Sequence, residues 1–238
     1  MFEWFTSPEA WISLFTLIGL EIVLGIDNII FIAILCSRLP KEEQNKARIV
    51  GLGFAMISRI LLLLSLFWIM KLTAPLFSVF GEEISGRDLI LIIGGLFLIY
   101  KSTTEIDSSI SGQTHEEHIN TKKASFASII IQISILDIVF SLDSVITAVG
   151  MAEHIEIMIL AVIIAVGVMM VASKTISKFV DDNPTIKILA LSFLILVGVA
   201  LVADGCGLHI PKGYIYFSMA FSLAVELINI KIRKKKLN

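Results

Sequence analysis

Glu21 and Asp27 stand six residues apart in EIVLGIDNI, and Asp137 and Asp143 stand six apart in DIVFSLDSV. Both stretches lie inside long apolar segments. An ionised side chain at the centre of a membrane helix costs roughly 2.5–3.5 kcal/mol, so four together cost on the order of 10–14 kcal/mol. That is comparable with the whole stability of a domain. Such acids need protons, a basic partner or a bound cation to neutralise them. Arg59 is the one basic residue inside an apolar segment, and one arginine cannot balance four carboxylates. Asn28 and Ser144 place an amide and a hydroxyl beside the acids, and no His or Cys adjoins them. An all-oxygen donor set suits hard cations such as Mn²⁺, Mg²⁺ and Ca²⁺ better than Zn²⁺ or Cu⁺. The plainer reading is four protonated acids that only hydrogen-bond between helices.

The segments that must position these residues are membrane helices. Of 238 residues, 56% are hydrophobic and 17% charged, and mean hydropathy is +0.90. A soluble domain carries more charge, and crossing a bilayer takes about 20 apolar residues per helix. The composition predicts an all-α polytopic membrane protein of seven spans: Trp11–Cys36, Ile49–Leu72, Leu89–Tyr100, Phe126–Gly150, Ile155–Ala172, Ile186–Ala203 and Tyr214–Ile230. The third is short and should extend into its polar flanks. Pro40, Pro75, Pro184 and Pro211 all fall in connections, where they break no helix. The start, MFEWFTSPEAW, lacks the basic region of a cleaved signal. Cys36 and Cys206 fall near opposite faces, so no disulfide is expected between them.

A shift of 116 positions lays Glu21 on Asp137, Asp27 on Asp143 and Asn28 on Ser144. The first span and the fourth cross in opposite directions, so the matched acids mark an inverted repeat of three helices plus three. Repeat 1 covers about 11–100 and repeat 2 about 126–203. A polar cytoplasmic loop at 101–125 separates them, and a seventh helix at 214–230 and a basic tail at 231–238 follow. Inverted repeats with a midplane site characterise secondary transporters.

Glu21 and Asp27 are about 9 Å apart along a straight helix and roughly 120° apart around it, so one helix cannot close a compact site with both. Two arrangements bring the repeats together. In one, straight antiparallel helices set Glu21 level with Asp143 and Asp27 level with Asp137. In the other, the helices break near Gly25 and Ser141, and Asp27, Asn28, Asp143 and Ser144 converge. Arg59 reads as the counter-ion to one acid.

Other features weigh less. His115 and His118, in HEEH, read as a solvated loop, since the HExxH pattern of zinc proteases is absent. Gly94 and Gly95 suit close helix packing. Glu226 and Asn229 are either interfacial or on a transport path. The KIRKKK run suits the anionic inner leaflet. No Walker A pattern and no G-x-G-D protease motif is present, so neither ATP drive within the chain nor catalysis is expected. Nucleic-acid binding has no support beyond the tail.

LEIVLGIDNIIFIAIL, GRDLILIIGGLFLIYKSTTEI, LDIVFSLDSVITAVGM and LALSFLILVGVALVADGCGLHIPKGYIYFSMAFSLAVELIN together resemble the TerC family of integral membrane proteins, distantly similar to LysE-type exporters. The resemblance covers nearly the whole chain. It implies manganese efflux, metal homeostasis or metallation of exported enzymes. It also implies metal-site positions at Asp27, Asn28, Asp143 and Ser144, with Glu21, Asp137 and Arg59 in proton-coupling or supporting roles. Family members of similar wording often append cytoplasmic regulatory domains, whereas this chain stops at Asn238. The expected function is export of a divalent cation as substrate, Mn²⁺ first and Ca²⁺ or Mg²⁺ after it, by proton exchange. The alternatives are a membrane factor that delivers metal to partner proteins and a proton- or sodium-coupled carrier of another substrate. The partners this admits are the bilayer, the metal ion, a second copy of the chain and an exported metalloprotein.

Lys and Arg number fifteen on one predicted side and three (Lys71, Arg87, Lys212) on the other. The positive-inside rule then sets the N-terminus outside and the C-terminus in the cytoplasm of the cell membrane. In a background lacking Cys36 and Cys206, a cysteine near Glu153 should react with an impermeant label from outside, and one near Lys122 only from inside. The reverse pattern would overturn this orientation.

Overall fold

The computed structural model describes residues 7–65, 73–79, 82–111, 125–149 and 155–237. Positions 24, 26, 27, 79, 82, 143, 144, 146–149, 234, 236 and 237 are described by backbone alone. The helices are α1 (Pro8–Cys36), α2 (Lys41–Leu64), α3 (Gly86–Ile110), α4 (Phe126–Val149), α5 (Ile155–Asp181), α6 (Pro184–Gly205) and α7 (Lys212–Leu237). Among the described residues six helices are long and apolar enough to cross a membrane, and α4 contributes the apolar stretch Phe126–Leu142. The chain is an all-α polytopic membrane protein.

The helix ends follow local chemistry. Pro8 and Pro184 occupy first-turn positions, where the missing N–H is no loss. Ser85 caps α3 in a reciprocal box: its Oγ accepts from the Asp88 N–H at 3.3 Å, and Asp88 Oδ2 accepts from the Ser85 N–H at 2.9 Å. The chain leaves α6 through Gly207 at φ 82°, with the Leu208 N–H donating to the Ala203 carbonyl at 2.8 Å and Gly207 to Asp204 at 3.1 Å. A left-handed residue closes this turn, and glycine adopts that conformation without a Cβ clash.

Several boundaries differ from the sequence expectation. The third span does extend into its flanks, and α3 runs to Ile110, so residues 101–110 expected in the loop are helix. Small polar residues in KSTTEIDSS satisfy their hydroxyls on the preceding turn, as Thr103 does on the Ile99 carbonyl at 2.7 Å. The basic tail likewise continues α7 to Leu237. Ahead of α3 lies a hairpin, β1 (Pro75–Val79) antiparallel to β2 (Glu82–Ser85), that the helical reading did not foresee. Phe77 pairs with Ile84 and Ser78 with Glu83, and an irregularity lies between Pro75 and Phe77. His115, His118, Lys122 and the end of the second expected span (66–72) lie outside the described residues.

The chain divides into two compact units, 1–74 with 122–179 and 75–121 with 180–238. The first holds α1, α2, α4 and most of α5, and the second holds the hairpin, α3, α6 and α7. Each unit therefore draws on both repeats. In the first unit, Gly51 of α2 faces Ile133 and Ile130, and Arg59, two turns later, reaches Asp137 and Ser141, so α2 and α4 run parallel. Gly25 of α1 faces Met169, and Leu17 and Glu21 share a cavity with Met158 and Val162, so α1 and α5 also run parallel. The second helix of each expected repeat thus lies along the first helix of the other.

In the second unit α3 packs closely on α6. A Cβ on Gly95 would fall 2.5 Å from the Gly198 carbonyl oxygen and 2.8 Å from Val202 Cγ2. Helices in lipid gain mainly from such close contact, since the tails are as apolar as leucine. The glycine thus works in packing, as expected. Lys187 pairs with the buried Glu105 at 3.7 Å along the same seam. Glu226 of α7 accepts from Thr185 Oγ1 at 2.6 Å and pairs with Arg233, so it latches α7 to the first turn of α6. Gly95→Ala should destabilise the protein by roughly 1–3 kcal/mol through overpacking. Gly53→Ala, whose new methyl meets nothing within 4 Å, should be neutral or stabilising by up to about 1 kcal/mol. Thermal unfolding in detergent checks both, and equal stability of the two variants would contradict the α3–α6 packing.

Candidate cation site

The buried polar centre of the first unit is built on Arg59. α2 carries it inward in the sequence ISRIL, where every neighbour but Ser58 is apolar. Its side chain is buried, as are those of Glu21 and Asp137. One guanidinium arm pairs with the Glu21 carboxylate of α1. The other donates to Asp137 Oδ1 of α4 at 2.8 Å, and Nε donates to Ser141 Oγ at 2.9 Å. Ser141 donates onward to Asp137 Oδ2 at 3.3 Å, and Ser58 Oγ lies 3.0 Å from the same oxygen. The planar fork of arginine suits this shared role, since two N–H edges can face two carboxylates at once. Removing one partner from such a buried network strands a charge, which is far more costly than never having buried it.

Two small cavities flank this network. One is lined by Asn28 of α1, Arg59 of α2, Asp137 of α4 and Met169 of α5, with apolar side chains around them, and has room for little more than one water-sized particle. The other is lined by Leu17, Glu21, Leu63, Val145 and Met158. Asn28 therefore lies at the level of Asp137, and Glu21 at the level of Val145. The helices are antiparallel and continuous through both acid motifs. Of the two arrangements open to the sequence, this is the straight one, with the backbone of Asp27 near the level of Asp137 and that of Glu21 near the level of Asp143. The breaks at Gly25 and Ser141 do not occur. Gly25 instead makes room for Met169, whose sulfur occupies the space a Cβ would need, and Ser141 bonds within the Arg59 network.

The expected site residues thus divide. Glu21, Asp137 and Arg59 come together, and Arg59 serves two acids where one was expected. Asn28 is buried and lines the first cavity. Asp27, Asp143 and Ser144 are described by backbone alone, inside α1 and α4. Among the described residues no three His, Cys, Asp or Glu side chains converge as a metal cluster. The sequence reading missed Ser58 and Met169. Ser58 was findable as a polar residue adjoining a buried arginine. Met169 carried no signal that separates it from a core methionine. Cys36 and Cys206 are free thiols, as expected.

Long apolar helices around a buried Glu21–Arg59–Asp137 network define a polytopic membrane protein. The chain belongs to the TerC family of integral membrane proteins, whose family model matches residues 6–237. It is 65% identical over 234 residues to a UPF0053 protein of Haemophilus influenzae, covering 98% of this chain and 99% of that one. It is 55% identical to the UPF0053 inner membrane protein YgdQ of Escherichia coli, covering 99% and 98%. A longer relative, the E. coli inner membrane protein YoaE, is 49% identical, and the match spans 95% of this chain and 44% of that one. No solved structure matches the chain.

Arg59→Met should destabilise the protein by roughly 3–5 kcal/mol, because it removes the basic partner of two buried carboxylates. Adding Glu21→Gln and Asp137→Asn should restore much of the loss. Thermal unfolding in detergent reads both effects, and an Arg59→Met protein as stable as wild type would show that the arginine does not compensate these acids.

Proposed function

We propose that this protein is a secondary transporter of the inner membrane that exports a divalent metal cation, Mn²⁺ first, in exchange for protons. The observation that supports this most directly is the buried Glu21–Arg59–Asp137 network, which takes one acid from each repeat and separates two small cavities. A carrier must hold its substrate between two barriers and open only one at a time, and inverted repeats supply two equivalent half-paths. On this reading Asp27 and Asn28 furnish oxygen ligands on one side, Asp143 and Ser144 on the other, and Arg59 bars the passage until a cation draws a carboxylate from it. Location in the inner membrane accords with the names of the inner membrane proteins YgdQ and YoaE.

Carboxylates suit exchange because a proton and a metal compete for the same oxygens. Apparent metal affinity should therefore weaken as pH falls. Asp27→Asn and Asp143→Asn should each abolish Mn²⁺ flux in proteoliposomes while the protein stays inserted, since losing a charge lowers the cost of burial. Intravesicular pH should change in the sense of proton counter-movement during Mn²⁺ transport. Near-normal flux in both variants would sink the ligand assignment. Flux without proton movement would replace exchange by uniport. Metal delivery that required a second protein would favour the assembly-factor reading.

A further inference from the structure

Arg48 and Arg59 stand eleven residues apart on α2. That is about three turns, so both project from the same face of the helix. Both are buried, Arg48 to 7% exposure and Arg59 to 3%. Arg59 meets two carboxylates. Arg48 meets none among the described residues. Its Nη2 donates to Asn45 Oδ1 at 3.1 Å, and its buried Nε has no acceptor. The carbonyls that end α1 are capped from within the turn, by the Ser37, Arg38 and Leu39 N–H groups and by Gln44 Nε2. Glu42 and Glu43 are exposed, and they precede Arg48 by six and five positions, on other faces of the helix. A guanidinium at this depth without a counter-charge is a costly arrangement, and something must offset it.

The surroundings favour an anion. Arg48 directly precedes the apolar run that starts at Ile49, and it reaches toward the exposed Asn45. Its charge therefore stands at the boundary between hydrocarbon and water. α4 runs parallel to α2, so the N-termini of both helices lie at this end. Lys46 Nζ is 6.0 Å from the centre of the Phe126 ring in the first turn of α4. Two helix N-termini thus add partial positive charge to that of Lys46 and Arg48. This is also the end that the distribution of Lys and Arg assigns to the cytoplasm, where the leaflet is anionic.

We infer that Arg48 anchors a phosphate group at this boundary, supplied by an anionic lipid headgroup or by free phosphate. The planar guanidinium offers paired N–H groups that match phosphate oxygens, which an ammonium cannot do. The site lies about 16 Å along α2 from Arg59. It stands whether or not the protein carries a metal.

The test follows thermal unfolding of the delipidated full chain in neutral detergent. Phosphatidylglycerol, phosphatidylcholine and inorganic phosphate are titrated separately at fixed ionic strength. Wild type should gain stability saturably with phosphatidylglycerol or inorganic phosphate, and less with phosphatidylcholine, whose phosphate is balanced by its own choline. A gain with inorganic phosphate assigns a free phosphate; a gain with phosphatidylglycerol alone assigns a lipid headgroup. Arg48→Met should weaken apparent affinity for the stabilising species by about tenfold or more, the worth of one charge-assisted hydrogen bond. Lys235→Gln, which removes an exposed charge from α7, should respond as wild type does. Without added phosphate, Arg48→Met should be at least as stable as wild type, because it removes a buried charge that nothing answers. If Arg48→Met loses the same stability with and without phosphate, the arginine has its partner within the chain and the inference is overturned. A wild type that neither phosphatidylglycerol nor inorganic phosphate stabilises overturns it as well, whatever the variant does.

Discussion

A single guanidinium held between carboxylates of two different helices is the interaction on which the first unit depends. Glu21 on α1 and Asp137 on α4 share Arg59 on α2 as their basic partner, and a guanidinium is buried at such depth only when paired. The contact also fixes geometry. It ties α1, α2 and α4 together, bridging the level of Glu21 and that of Asp137, and the register of α1 against α4 follows from it. Ser141 and Ser58 complete the bonding of Arg59 and Asp137 and hold the fork in one orientation.

The same constraint explains why the helices stay continuous through the acid motifs. A break near Gly25 exposes backbone groups that must then be satisfied by a neighbour or by water. With Glu21 and Asp137 partnered by Arg59, the unbroken helices already satisfy those acids. Gly25 is then used for closeness, admitting the Met169 sulfur against α1. Gly51 does the same for Ile133 on the pseudo-equivalent pair α2 and α4. Gly95 and Gly198 repeat the device between α3 and α6, where a carbonyl oxygen takes the space of a side chain. Small residues at crossings are how helices in lipid gain contact in the absence of a hydrophobic drive.

The four acids fall into two kinds. Glu21 and Asp137 are compensated by an arginine and belong to the structural centre. Asp27 and Asn28 begin one turn and a half further along α1, and Asp143 and Ser144 the same distance along α4. In an inverted repeat these two extensions point in opposite directions from the shared centre.

Membrane helices, their number and their approximate limits were legible in the sequence, because hydropathy over about 20 residues reports the bilayer directly. The recurrence of the acid motif was equally visible, since acids in apolar segments are costly. The helical content of residues 101–110 was less legible, because polar residues in a helix that leaves the membrane look like loop. The hairpin at Pro75–Ser85 was hidden by its shortness. Which acid meets which partner could not be read along the chain at all. Glu21, Arg59 and Asp137 are separated by 38 and 78 residues, and only packing decides that one arginine reaches two of the four carboxylates. Tertiary structure alone also placed Met169 beside Asn28, since a methionine in an apolar helix has the same sequence signature whether it fills a core or lines a cavity.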